Sequence, residues 1–279
     1  MYLQHFALHE LPFGLTPDTA FVFSTRAHQE ALNTLLVAAD SGEGFIKITG
    51  EVGTGKTLLC RRFLATLPAD ALSCYLPNPN HTPRTLLFAL AEELGASLPA
   101  ASDEFTLLKK INDTLLHLAA EGRRVVVCVD EAQALKSASL ETLRLLSNLE
   151  TEKRKLMQVV LFGQPELDRK LASESVRQLR QRITFQYALK ALGRNEVAAY
   201  VAHRLTIAGY SGPALFTDAA LKAIHVASRG VPRLVNILAH KSLLLAFGEG
   251  LRRTERRHVR IAIDDTPAAT MPWYWWKAA

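Results

Sequence analysis

The sequence predicts an α/β fold built on a parallel sheet and followed by an all-helical domain. Strand-like and helical runs alternate between residues 45 and 189, a glycine-rich loop joins the first strand to a helix, and strand-like runs stop near residue 190. Residues 45–49 (FIKIT) are rich in β-formers and enter the loop. TLLCRRFLATL follows, with Leu58, Leu59, Phe63, Leu64 and Leu67 at helical spacing. LSCYL at 72–76 reads as a second strand. VVVCVD at 125–130 reads as a third, apolar at nearly every position as a strand buried on both faces should be. Helical patterns cover 83–95 and 103–121 between them, and LMQVVLF at 156–162, a further helix and ITFQYAL complete the α/β region. Beyond it, helical patterns run from Asn195 to Ala208, Thr217 to Ser228, Pro232 to Gly248 and Thr254 to Ile263, separated by GYSGP, SRGVP and GEG.

The 279 residues, 48% apolar and 22% charged, are enough for a large core and exclude disorder and collagen-like structure. Cys60, Cys74 and Cys128 form no CxxC pair, which argues against a disulfide scaffold or a zinc site and fits a reducing compartment. The first residues lack a basic stretch before a run of about 7–15 apolar residues. No later run reaches the roughly 18 uncharged apolar residues of a membrane span. Even Leu234 to Phe247 is interrupted by Asn236, His240 and Lys241. The expectation is a soluble, cytoplasmic protein. His5 and His9 have no further ligand at metal-binding spacing, and no GxSxG or Cys-His signature supports nucleophilic catalysis.

Gly50, Glu51, Val52, Gly53, Thr54, Gly55, Lys56 and Thr57 satisfy GxxxxGK[ST] between a predicted strand and a predicted helix, the context a phosphate loop requires. The glycines let backbone amides fold around a triphosphate, and the helix start adds positive potential. These residues, with Leu58, are the candidate nucleotide contacts. Lys56 is expected on the β and γ phosphates and Thr57 on Mg²⁺. Asp130 and Glu131, at the end of the buried third strand, then supply a second Mg²⁺ ligand and a group to polarise the attacking water. By themselves the two carboxylates also fit a solvated helix start; the phosphate loop upstream favours the catalytic assignment. No NKxD or LSGGQ-like sequence is present, which argues against a GTPase and a transporter cassette.

With these motifs the sequence resembles the AAA+ ATPases, and among them the ExeA-type secretion and pilus-assembly ATPases. The likeness spans roughly residues 1 to 266. Phe6-x-Leu8-x-x-x-Pro12-Phe13, Thr16-Pro17-Asp18 and His28-x-Glu30-Ala31-Leu32 are similar to that family's N-terminal segment. Gly44-Phe45, the phosphate loop and Asp130-Glu131-Ala132-Gln133 follow. Phe162-Gly163-Gln164-Pro165-Glu166-Leu167 falls at the first sensor, with Gln164 where the superfamily more often has Asn. Leu179-Arg180-Gln181-Arg182-Ile183 falls where an arginine finger is expected, and Arg229-Gly230-Val231-Pro232-Arg233 resembles the second-sensor motif at a lid helix. The resemblance implies that Gln164 holds the lytic water or γ-phosphate and that Arg233 reaches γ-phosphate from the lid. It also implies that Arg182 completes a neighbouring subunit's site, so that the active form is a homo-oligomer. Arg177, Arg180 and Arg182 also fit a solvated helix face.

The resemblance therefore implies a P-loop NTPase (AAA+) core over 1–190, a helical lid over 191–266 and a tail over 267–279, with ATP and Mg²⁺ as cofactors. The longer secretion members continue into a membrane segment and a peptidoglycan-binding module. This sequence stops soon after His258-Val259-Arg260-x-Ala262-x-Asp264-Asp265-Thr266, so the expectation is assembly of a type IV pilus of the mannose-sensitive haemagglutinin kind, or of related secretion machinery, without that module. The alternative is an ATP-dependent DNA-binding regulator of transposition type, which shares the core. Of the net charge of +6, the stretch 252–260 contributes +4, five arginines against one glutamate. The positive charge is local, and fits an acidic partner or anionic surface beside the aromatic tail Trp273-Tyr274-Trp275-Trp276-Lys277 better than a nucleic-acid footprint over the whole chain. The tail also fits a groove of a partner or neighbouring subunit, or a cap on its own domain, and the arginines a solvated helix face; the combination allows a peripheral position at the inner membrane.

Overall fold

The computed structural model describes residues 2–15, 21, 23–77, 82–96, 98–150 and 155–270. Thr16, Pro17 and Asp18 of the N-terminal pattern, and the aromatic residues 273–276 with Lys277, lie outside the described residues. In chain order the elements are α1 (Tyr2–His5), α2 (Arg26–Asp40), β1 (Phe45–Gly50), α3 (Lys56–Thr66), β2 (Ala71–Leu76), α4 (Pro83–Glu93), α5 (Glu104–Ala120) and β3 (Arg124–Val129). They continue as α6 (Ser137–Leu146), β4 (Met157–Gly163), α7 (Pro165–Leu171), α8 (Arg177–Arg180), β5 (Ile183–Leu189), α9 (Arg194–Ile207), α10 (Asp218–Ser228), α11 (Pro232–Gly248) and α12 (Arg256–Asp264). The chain divides into two compact units. One comprises Arg26–Gly50 and Leu59–Leu189; the other comprises the described residues before Arg26, Glu51–Leu58, and the described residues from Lys190 onward.

The first unit is the sheet. All its pairings are parallel, and the strand order is β2-β3-β4-β1-β5. Successive side chains of a strand point to opposite faces, and the core divides accordingly. Phe45, Val125, Val127, Val129, Met157, Val159 and Leu161 pack with Leu86, Leu90, Leu107, Ile111, Leu115, Leu140 and Leu143 of α4, α5 and α6. Ile46, Ile48, Val126, Cys128, Val160 and Phe162 pack on the other face with Leu32 and Leu35 of α2 and Phe63 of α3. Gln158, only 4% exposed, satisfies its amide by donating to the carbonyls of Ala38 and Glu43 at 3.2 and 3.0 Å. Two helices here fall where the sequence pattern was left unassigned. In α2 the buried positions Ala31, Leu32, Leu35, Ala38 and Ala39 follow helical spacing, and in α6 Leu140, Leu143 and Leu146 do.

The second unit holds α9 to α12, with Val197, Val201, Ile224, Val235, Leu238, Leu243, Val259 and Ile263 in its core. The N-terminal segment joins this core through Phe6, Leu8, Phe13 and Phe21. A buried cation explains the attachment. Arg204, 7% exposed on α9, donates from Nε to the Pro12 carbonyl and from Nη1 to the Tyr200 hydroxyl at 3.1 Å, and lies over the Phe21 ring at 4.6 Å. Tyr200 in turn donates to Asn236 Oδ1 at 3.0 Å, and Asn236 Nδ2 donates to the Gly14 carbonyl at 3.4 Å. Chain order groups residues 1–25 with the sheet, whereas the described residues of that segment pack with the helices. In α12 the arginines do stand at the dipole-disfavoured start. Glu249 and Glu255 offset this, binding Arg257 at 2.7 and 3.1 Å, and the fully buried His258 accepts the Glu255 N–H on Nδ1 and so presents Nε2–H to Glu249.

Candidate active site

Sheet topology decides which strand ends are neighbours. β4 lies between β1 and β3, with Thr49 opposite Gly163 and Val129 opposite Leu161. The carboxyl ends of β1, β4 and β3 therefore stand side by side, about 4.8 Å apart per strand, and each ends in a predicted site residue: Gly50, Gln164 and Asp130.

The phosphate loop leaves β1 at Gly50, and α3 starts at Lys56. Gly53 (φ 81°) and Gly55 (φ 94°) are left-handed, the conformation that lets consecutive amides turn towards one centre. The Glu51 carbonyl is the loop's internal anchor, accepting from Thr54 Oγ1 at 2.8 Å, Thr54 N at 3.3 Å and Lys56 Nζ at 3.0 Å. Thr54 and Lys56 are buried, while Glu51 and Val52 are exposed. Within the same unit the loop meets the start of α11. Arg233 N donates to the Gly53 carbonyl at 3.3 Å, and a Cβ on Gly53 would stand 2.5 Å from the Arg233 Cβ. The turn before α11 is fixed by two left-handed residues, Arg229 and Gly230. A side chain at Gly230 would collide with the Leu192 carbonyl oxygen, so glycine is required there. The structure thus brings Arg233 to the phosphate loop.

The turn after β3 is organised by side chains. Asp130, 3% exposed, accepts from the Glu131 N–H on Oδ1 at 2.9 Å and from the Tyr75 hydroxyl on Oδ2 at 3.3 Å. Burial first, and the charge of Asp130 second, push the Tyr75 phenol up to about 12, so it remains a donor. Glu131 is left-handed (φ 51°, ψ 38°), rare for a residue with a side chain. Its Oε2 accepts from Gln164 Nε2 at 2.9 Å and from Gln133 Nε2 at 2.5 Å. Gln133 Oε1 accepts the Gln164 N–H at 3.0 Å, and Lys170 of α7 donates to the carbonyls of Gln133 and Leu135. Gln164 caps α7 through its backbone only, its side chain being turned to Glu131.

Arg182 stands elsewhere in the sheet unit. It precedes Ile183, which pairs with Phe45 at the amino end of β1, whereas Leu189 pairs with Gly50. Along β5 that separation is about 20 Å. Arg182 donates to Asn148 Oδ1 and lines a cavity of about 330 Å³ with Gly44, Phe45, Ser147, Glu150 and Lys155. The geometry gathers Asp130, Glu131 and Gln164 and leaves Arg182 apart. The sequence reading assigned no role to Tyr75, Gln133 or Lys170. Gln133 was in view, two positions after Glu131, but Tyr75 and Lys170 become visible only once β2 is paired with β3 and α7 follows β4.

Against known proteins, residues 39–171 match the family described as AAA domain. The chain is 43% identical over 262 residues, 94% of its length, to General secretion pathway protein A of Aeromonas hydrophila, and spans about half of that protein, 48%. Among solved structures it resembles Cdc6p from Pyrobaculum aerophilum, with TM-score 0.68 and 16% identity over 90% of this chain and 71% of that one. It also resembles Aeropyrum pernix ORC2 in ADPNP and ADP complexes, with TM-score 0.65 and 17% identity over 95% and 75%. The fold is the P-loop AAA fold: a parallel α/β sheet with a helical C-terminal region.

Proposed function

We propose that this chain, a P-loop AAA protein of the secretion-protein-A type, binds ATP with Mg²⁺ and hydrolyses it to drive assembly of a type IV pilus of the mannose-sensitive haemagglutinin kind or of related secretion machinery. The observation that carries the ATPase reading is the Glu131 carboxylate, held by two glutamine amides beside Asp130 at the carboxyl ends of β3 and β4. In this reading the nucleotide-binding region ends at residue 190, with the N-terminal segment packed on the helices that follow, 191–266 form the lid and 267–279 the tail. The amides of Gly50 to Leu58 and Lys56 cradle the phosphates, and Arg233 reaches the γ-phosphate from the lid. The all-oxygen pair of the Thr57 hydroxyl and Asp130 carboxylate suits Mg²⁺, which when bound offsets phosphate charge. Gln164 and Glu131 orient the attacking water. Glu131 takes its proton as the water oxygen bonds to the γ-phosphorus and the bond to the β-phosphate oxygen breaks, and then releases it to solvent.

The position of Arg182, at the far end of its own sheet from Gly50, supports the reading in which it serves a neighbouring subunit and the working form is a homo-oligomer. The secretion relative supports the secretion-machinery side of this reading. No helix of the described residues is long and apolar enough to cross a membrane. In this reading the protein is cytoplasmic and peripheral at the inner membrane, which it meets through the basic stretch 252–260 and the Trp-rich tail. Likenesses to replication proteins at 16–17% identity carry the fold alone and do not favour the DNA-directed reading.

The test is Mg²⁺-dependent ATP hydrolysis and ATP affinity in wild type, Lys56→Ala, Glu131→Gln and Arg182→Ala. Lys56→Ala should lose affinity by about 10- to 100-fold, the worth of a charge-assisted contact. Glu131→Gln should keep affinity and lose about 10²- to 10⁴-fold in turnover. Arg182→Ala should lose about 10³-fold or more, restored in part by mixing with Lys56→Ala subunits, whose Arg182 is intact. Equal hydrolysis by all four proteins would remove the assigned site. Duplex DNA binding in ATP that falls steeply with salt would favour the transposition-type function over pilus assembly.

A further inference from the structure

We infer that Gln133 is a positioning residue for hydrolysis: it ties the Glu131 carboxylate to the end of β4 and selects which carboxylate oxygen meets the water. The inference rests on the reading of Glu131 as the base. Gln133 uses both ends of its amide, Oε1 accepting the Gln164 N–H at 3.0 Å and Nε2 donating to Glu131 Oε2 at 2.5 Å. Neither a carboxylate nor an amine of the same length could do both. Its own backbone is held, since Lys170 Nζ donates to the Gln133 carbonyl and, at 2.5 Å, to the Leu135 carbonyl. The approach to β4 depends on Gly163, where a Cβ would stand 3.3 Å from Gln133 Oε1 and 2.7 Å from Leu167 Cδ2.

This arrangement has a chemical consequence. With Gln164 Nε2 also on Oε2, that oxygen already accepts two amide hydrogens, which leaves Oε1 to take a proton. Glu131 is in the left-handed region, and its carboxylate is held from two sides, by Gln133 of its own turn and by Gln164 at the end of β4. Gln164 reaches Glu131 through its side chain, while its backbone N–H holds Gln133. The two glutamines therefore form one closed circuit, 131 to 133 to 164 to 131, and an amide does not titrate, so the orientation persists across neutral pH.

The experiment compares Gln133→Met, equal in length but without donor or acceptor, with Gln133→Glu, which keeps the acceptor for the Gln164 N–H and sets a second carboxylate against Glu131. Single-turnover hydrolysis at saturating Mg²⁺-ATP should fall about 10- to 100-fold in Gln133→Met and at least as far in Gln133→Glu. ATP affinity should stay within about twofold in both. In a Glu131→Gln background, Gln133→Met should add no further loss, since both act on one group. Wild-type turnover in Gln133→Met while Glu131→Gln is inactive would overturn the inference and leave the base assignment standing. Additive losses, or affinity falling in step with turnover, would also overturn it. Wild-type turnover in Glu131→Gln would instead remove the base itself. Should Gln133→Met fail to fold, Gln133→Glu, with its bond to β4 intact, carries the same comparison.

Discussion

The phosphate loop and the turn after β3 both follow a buried strand, yet they hold their shapes by opposite means. The loop is a backbone structure: two left-handed glycines and one carbonyl, that of Glu51, anchor Thr54 and Lys56 within six consecutive residues. The turn is a side-chain structure, in which Glu131 and Asp130 are oriented by Gln133, Gln164 and Tyr75, with Lys170 bracing the backbone from α7. Recognising phosphate needs many amides at fixed positions, which a contiguous motif can encode. Directing one proton needs a single carboxylate held at one angle, and donors from several strands do that better than one short segment.

If this contrast is right, damage to the turn should slow turnover and spare affinity, and damage to the loop should do the reverse. The largest effect is expected for Gln164→Ala, which removes a donor from Glu131. Turnover should fall about 10²- to 10³-fold with ATP affinity preserved, as stopped-flow hydrolysis and nucleotide titration would show; an equal loss of affinity would break the contrast. Gly53→Ala probes the other side. A left-handed backbone costs a non-glycine residue about 1–2 kcal/mol, and the new Cβ also crowds Arg233. Affinity should drop about 10-fold, while turnover at saturating ATP stays near wild type. Tyr75→Phe is the smallest change, removing one 3.3 Å hydrogen bond to Asp130 and costing about 1 kcal/mol. Its phenol stays protonated well above neutrality, so this loss should be flat across neutral pH, and an effect confined to alkaline pH would count against the donor role.

The strand-loop-helix of residues 45–66 was legible because its signals are local: β-formers, glycines at set spacing, then helical periodicity. Helices α9 to α12 were legible for the same reason, down to Pro232 opening α11 and Thr217 capping α10. Helices α2 and α6 carry helical periodicity too, in Ala31, Leu35 and Ala38 and in Leu140, Leu143 and Leu146. The attachment of the N-terminal segment to the helical unit was not legible. It depends on Arg204 meeting the Pro12 carbonyl and the Phe21 ring, residues nearly two hundred positions away along the chain.

The sequence by itself determined the chemistry on offer: a glycine-rich GxxxxGK[ST] loop at Gly50 to Thr57, an acidic pair after a buried strand, and a basic stretch confined to 252–260. These rest on neighbours in the chain, whose geometry follows from backbone conformation and the period of a helix or strand. Only the tertiary structure decided which of those groups work together. The order β2-β3-β4-β1-β5 sets Gln164 beside Glu131 and sends Arg182 to the far end of the sheet. Strand order is fixed by long-range pairing and burial on two faces, and no local pattern of residues specifies it.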